Sequence, residues 1–171
     1  MRLAVLLLAL CGAACGPTAR SGPDWKVFTH PRNSFTLEYP ASWTVQNDSQ
    51  WSSISSPPDV DAVLMVSAFL RPRETVKTFA DQRMAVQREI YSPLADPRAV
   101  STPHWVAVVE QAKGHEAGET FDSVRFSFCV ARSENGPLFV SLTGYVAEKD
   151  FPRVSATFEK ICHSIRFGSR D

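Results

Sequence analysis

Apolar and polar residues alternate through Phe35-Thr36-Leu37-Glu38-Tyr39, so Phe35, Leu37 and Tyr39 share one face and Thr36 and Glu38 the other. That period of two predicts a strand with at least one buried side. Pro40 ends it, because proline has no N–H to give to a ladder. The same reading predicts strands over Trp25 to Thr29, ahead of the turn-forming run HPRNS, and over Trp43 to Gln46 and Ser52 to Ser55 beyond Pro40. Ala62 to Leu70, AVLMVSAFL, is apolar at nearly every position and is expected at the centre of a sheet covered on both faces. Over Thr75 to Tyr91 the period changes. Val76, Phe79, Ala80, Met84, Ile90 and Tyr91 form an apolar stripe opposite Lys77, Asp81, Gln82, Gln87 and Arg88, which predicts an amphipathic helix. Ser92 to Pro103 carries three prolines and no clear period, and is expected to be a surface loop.

Three long strands are predicted next, Trp105 to Lys113, Thr120 to Arg132 and Leu138 to Ala147, joined by GHEAGE and SENGP. Asn135-Gly136 is a hairpin signal, since both residues tolerate the positive φ of tight two-residue turns. A turn centred there puts Phe126 and Phe128 on one face with Phe139 and Tyr145, and Cys129 and Ala131 on the other with Val140 and Leu142. Both faces are then apolar and both need cover. A closing helix from Phe151 to Phe167 supplies part of it, with Phe151, Val154, Phe158, Ile161, Cys162 and Ile165 spaced by three and four, Asp150 as its cap and Pro152 in its first turn.

A chain of 171 residues, 44% hydrophobic, suffices for one domain with a sizeable core. Lys plus Arg (18) balances Asp plus Glu (18) without a run of like charge, which disfavours a nucleic-acid partner. The N-terminus changes the picture more. MRLAVLLLALCGAAC has a cation at Arg2, an apolar run from Leu3 to Leu10 and small residues after it, the layout of a secretory signal. Its end, CGAACG, resembles the lipobox of bacterial lipoproteins, in which Cys15 would be acylated and become the mature N-terminus. Gly12 stands where that pattern usually has Leu, and an ordinary cleaved signal without lipid is the alternative. Residues 1–14 are thus expected to be a signal peptide, 15–23 a Gly/Pro/Ser-rich tether and 24–168 the domain. Gly16 rather than an acid beside the acylated Cys would, by the enteric-bacterial rule, send the protein to the outer membrane, facing the periplasm.

SFTLEYPASWTV, followed by an apolar strand, an amphipathic helix, long hairpins and a closing helix ending ICHSIRF, resembles the PsbP-like and DcrB-like superfamily. Members often carry a strand ending in Tyr-Pro, a two-residue turn and a Trp. The resemblance implies an α+β single domain, an antiparallel β-sheet sandwiched between helices, among proteins that are mostly accessory or assembly factors and envelope lipoproteins.

Catalytic signatures fail one by one. GHEAGE begins like a zinc-protease motif, but Glu119 stands where the second His must sit one helical turn on. Gly-x-Ser-x-Gly, a phosphate-cradling loop and Cys-x-x-Cys are all missing from the sequence. Asp59 and Asp61 in PPDVDAV are two loop acids without further calcium ligands nearby, and His30, His104, His115 and His163 show no metal-binding spacing. No enzyme, no metal and no cofactor are expected.

Two function classes remain. One is a lipid-anchored envelope module that binds or helps assemble a partner protein; the other is a carrier or sensor of a small apolar ligand. An envelope hydrolase with an unrecognised site trails both. Trp51, in the polar stretch NDSQWSSISS, and Tyr91, His104 and Trp105 around Ser92 to Pro103 are candidate partner contacts, with packing beneath their loops as the alternative. With Cys15 acylated, Cys129 and Cys162 are the thiols left in an exported domain; a disulfide between them is expected, a pair of buried thiols being the alternative.

Overall fold

The computed structural model describes residues 24–32, 34–48, 51–102, 105–114, 124–133 and 136–168. The elements run β1 (Trp25–Thr29), β2 (Phe35–Pro40), β3 (Thr44–Asn47), β4 (Ser52–Ser55), β5 (Ala62–Leu70), α1 (Val76–Ile90), β6 (Tyr91–Pro93), β7 (Arg98–Thr102), β8 (Trp105–Gly114), β9 (Val124–Ser133), β10 (Leu138–Ala147), a short 3-10 turn, α2 (Phe151–His163) and β11 (Arg166–Phe167). A large sheet has the order β3-β4-β5-β10-β9-β8-β6, with β7 also on β8, and a small one has the order β1-β2-β11. All pairings are antiparallel.

Tyr39-Pro40 makes the first corner. The Trp43 N–H donates to the Pro40 carbonyl at 2.9 Å, and the Trp43 ring turns inward, edge-on to Phe158 with centroids 6.1 Å apart. The chain thereby leaves the small sheet and enters the large one. β9 and β10 pair Arg132 with Phe139 and Phe126 with Tyr145, the register that a turn centred on Asn135-Gly136 imposes. Asn135 itself lies outside the described residues.

That register sorts the core in two. Cys129, Ala131, Val140 and Leu142 face a core shared with α2 and with Phe28, Phe35 and Leu37 of the small sheet. Phe128, Val130 and Phe139 face a second core built with Phe79, Ala80 and Met84 of α1. The large sheet is therefore the middle layer, with α1 on one side and α2 plus the small sheet on the other.

Several expectations needed correction. The segment Ser92 to Pro103 is not a loop throughout. Pro93 lies at the end of β6, and Arg98–Thr102 forms β7, whose Val100 packs onto the core. Both are edge strands, where a proline leaves no central ladder bond unmade. α2 stops at His163 rather than Phe167. The Ser164 Oγ donates to the Ile161 carbonyl at 2.6 Å and accepts the Glu38 N–H at 2.8 Å, which turns the chain so that Arg166–Phe167 joins β2. Asp150 holds the N-cap position of α2 as expected but makes no side-chain capping bond; its carboxylate accepts the Asp61 N–H at 3.2 Å and pairs with Arg153. β5 is fully buried on one face only, at Ala62, Leu64 and Val66, because α1 lies over β6, β8 and β9 instead.

Candidate functional site

The α2 side of the sheet is closed tightly. Cys129 on β9 and Cys162 on α2 form a disulfide with Cα atoms 6.6 Å apart, so the expected pairing is present. Beside it, Gly144 on β10 lets the Phe158 ring lie against the strand: a Cβ at this position would stand 2.8 Å from Phe158 Cε2. Only glycine permits that approach. Between α2 and the large sheet a cleft is lined by the apolar Val109 and Leu142 and by the polar Gln111, Ser127 and His163, with the Ser127 hydroxyl buried. Arg98 reaches Glu159 across it at 3.5 Å. Its free volume is about 30 Å³, enough for about one water molecule and far below the several hundred Å³ of an organic-ligand site.

The α1 side carries the open surface. Thr75 starts the helix as its N-cap, its Oγ1 accepting the Thr78 N–H at 3.1 Å. One turn on, Lys77 Nζ lies 2.6 Å from Asp81 Oδ2, and Arg88 lies 3.7 Å from the other oxygen. The hydrogen bond from Lys77 holds the Asp81 carboxyl below its usual range, aided by the charges of Lys77 and Arg88. This ionic row is one wall of a groove of about 650 Å³. The other wall is Pro93-Leu94-Ala95-Asp96-Pro97, in which Leu94 is 45% exposed. The Leu94 N–H is anchored to the Gln111 carbonyl at 2.9 Å, and Pro93 and Pro97 fix the backbone on either side. The groove sets the exposed Leu94, with Asp96 two residues on, opposite the paired charges of α1.

The candidate contact residues separate. Trp51 is 39% exposed at the β3–β4 turn, its carbonyl accepting the Asp48 N–H at 2.9 Å. Tyr91 and Trp105 are buried, at 4% and 0% exposure, so neither offers a contact surface. Tyr91 packs near Tyr145 in the α1-side core, and Trp105 donates its indole N–H to the Ile165 carbonyl at 3.0 Å. An aromatic beside a proline-rich run is pulled inward when that run pairs as an edge strand, which the sequence does not display. His104, Cys15 and the GHEAGE segment beyond Gly114 lie outside the described residues.

The Asp59 carboxylate is held by Arg153 at 3.0 Å, so a guanidinium occupies the place of a cation there. Among the described residues, no three His, Cys, Asp or Glu side chains gather as metal ligands would. His30 Nδ1 is hydrogen-bonded with Ser34 Oγ at 2.8 Å and the ring stacks on Phe35, and partial burial, with Arg32 nearby, lowers its pKa. No helix among the described residues is long and apolar enough to cross a membrane.

No family model and no curated protein sequence matches the chain. Solved structures do. A Bacteroides thetaiotaomicron protein matches with a TM-score of 0.60 at 16% identity over 85% of this chain and 49% of its own, so this chain spans about half of that relative. The solution structure of cyanobacterial PsbP (CyanoP) from Synechocystis sp. PCC 6803 matches with a TM-score of 0.58 at 12% identity, covering 91% of this chain and 98% of that one. LpqN, involved in cell envelope biogenesis of Mycobacterium tuberculosis, matches with 0.59 at 10% identity, over 85% and 91%. At such identities the likeness establishes the fold: the chain has the PsbP-like α+β architecture.

Proposed function

We propose that this protein is a lipid-anchored binding or assembly-accessory module of the bacterial cell envelope, without catalytic activity. In this reading residues 1–14 are removed on export, Cys15 is acylated, and residues 15–23 tether the domain at the outer membrane. One structural observation carries the binding role: the room for a partner lies on the surface. The interior cleft holds about 30 Å³, whereas the groove between α1 and residues 93–97 offers about 650 Å³ with Leu94 exposed on its edge. A filled interior also argues against the carrier of a small apolar ligand. The likeness to LpqN, a protein of envelope biogenesis, supports the cellular setting.

Metabolic labelling with a fatty acid tests the anchor. The wild-type chain is expected to take up label and to sediment with membranes, and Cys15→Ser to lose both. Unchanged labelling of Cys15→Ser refutes the anchor, and the binding role is then decided by crosslinking alone.

A further inference from the structure

We infer that the uncovered half of the large sheet, β3–β4–β5 on the side of α1, binds a short uncharged oligosaccharide, a role separate from the lipid anchor and from the groove beside residues 93–97. α1 makes its main contacts with β6, β8 and β9 and reaches β5 at Phe69, whose ring centroid lies 5.2 Å from that of Phe79. Val63, Met65 and Ser67 point to the same side of β5 as Phe69 and are partly exposed, and neither Val63 nor Met65 belongs to either core. Register carries this face to the edge of the sheet. Val63 pairs with Ser55, and Ser55 with Thr44; Met65 pairs with Ser53, and Ser53 with Gln46. Ile54, Leu64 and Val66 fill the α2-side core, so these partners all lie on the α1 side. Ser52 pairs with Val66, so one step back along the chain Trp51, 39% exposed at the β3–β4 turn, falls opposite Ser67. Ser141 on β10 continues that row: it pairs with Ser67, is 2% exposed, and its hydroxyl has no hydrogen-bond partner among the described residues.

The chemistry of this face is neutral. β3, β4, β5 and β10 contain no charged residue, in a chain that is 21% charged. Buried strands explain that for β5 and β10, but β3 is the edge of the sheet, with Thr44, Gln46 and Asn47 exposed, where charged side chains are the common guard against stray pairing. An uncharged sugar matches the pattern. Its hydroxyls exchange hydrogen bonds with serine, threonine and glutamine side chains, and the C–H face of its ring lies on the electron-rich face of an indole. A hydroxyl settling beside Ser67 also gives the orphaned Ser141 hydroxyl a partner, since cross-strand neighbours stand about 5 Å apart. Size points the same way. From Val63 to Ser67 and from β3 to β5 the open rows measure about 13 Å by about 10 Å at strand spacings. That is on the order of 130 Å², against about 800 Å² buried by each partner of a stable protein complex.

Fluorine NMR of the full chain carrying 5-fluorotryptophan tests the site. The chain has four tryptophans, and the signal lost in Trp51→Phe identifies Trp51. A tetramer of N-acetylglucosamine is expected to shift the Trp51 signal saturably, with a Kd of about 1 mM or tighter, and to leave the signals of the buried Trp43 and Trp105 in place. By calorimetry Trp51→Ala should bind the tetramer about tenfold more weakly or worse. Gln46→Ala, at an exposed edge position, should weaken binding about threefold in the Trp51 signal, and it carries the test should Trp51→Ala fail to fold. No Trp51 shift with this tetramer or with maltotetraose up to about 10 mM overturns the inference. So does a Trp51 shift that follows protein concentration without sugar, which would assign the face to a second copy of the chain. Equal binding by wild type and Gln46→Ala, with all four tryptophan signals moving together, overturns it as well.

Discussion

The two faces of the large sheet are covered by different means. On the α2 side a disulfide, a glycine-permitted ring contact and a three-stranded sheet hold one helix to one strand set. On the α1 side a helix of 15 residues rests on a smaller core, carries no covalent tie among the described residues, and turns an ion-paired row toward an open groove. The comparison teaches where the molecule is built to stay fixed and where it presents surface. The small sheet that begins with β1 lies on the fixed side, and the groove beside α1 lies on the other.

The largest expected effect tests the fixed side. Replacing both Cys129 and Cys162 with Ala opens a loop of 33 residue steps, for which chain entropy predicts a loss of about 3 to 4 kcal/mol in denaturant unfolding. A loss below about 1 kcal/mol would show that packing alone fixes α2. Gly144→Ala comes next: its new Cβ meets Phe158, so a loss of about 1 to 3 kcal/mol is expected. Phe158→Leu in the same chain should recover part of it. If Gly144→Ala is neutral, the α2 side is looser than the contact implies.

The presenting side predicts smaller numbers. Thr75→Ala removes the N-cap of α1 and should cost about 1 kcal/mol by thermal unfolding, with hydrogen exchange rising in α1 and not in α2. Exchange rising equally in both helices would merge the two sides into one cooperative unit. Asp81→Asn frees Lys77 and Arg88 and should change stability by less than about 1 kcal/mol, since the pair is exposed. Because the folded Asp81 pKa is depressed, its contribution is present above the ordinary value of 3.8 and is lost as pH falls through the folded value. The smallest effect concerns His30. Its folded pKa is lowered, so the unfolded chain binds the proton more tightly and stability falls as pH drops below 6.5. Melting temperatures at pH 7.5 and 5.5 should diverge slightly more for wild type than for His30→Gln; identical divergence removes His30 from the account.

Period and turn chemistry made most of the framework legible. Phe35, Leu37 and Tyr39 announced β2, the β9–β10 register is the one expected from Asn135-Gly136 in the sequence, and the expected bond between Cys129 and Cys162 is present. What escaped was decided by pairing between distant segments. Arg98–Thr102 looks irregular until Val109, Val108 and Ala107 of β8 stand opposite it, and that pairing buries Tyr91 and Trp105. Ile165 continues the helical spacing of α2, so the Ser164 bond that ends the helix and sends Arg166 to β2 leaves no local trace. For the surfaces, the Lys77–Asp81 pair was readable as an i,i+4 spacing. The exposure of Leu94 depends on where β6 and β7 dock.

A photocrosslinking residue placed at Leu94 of the full chain in native cells tests the central claim most directly, with Leu70, 54% exposed at the end of β5, as the comparison site. The account predicts a discrete protein adduct from Leu94 that is absent from Leu70. The same adduct pattern at both positions would contradict it, as would no adduct at either while the purified full chain hydrolyses a generic ester.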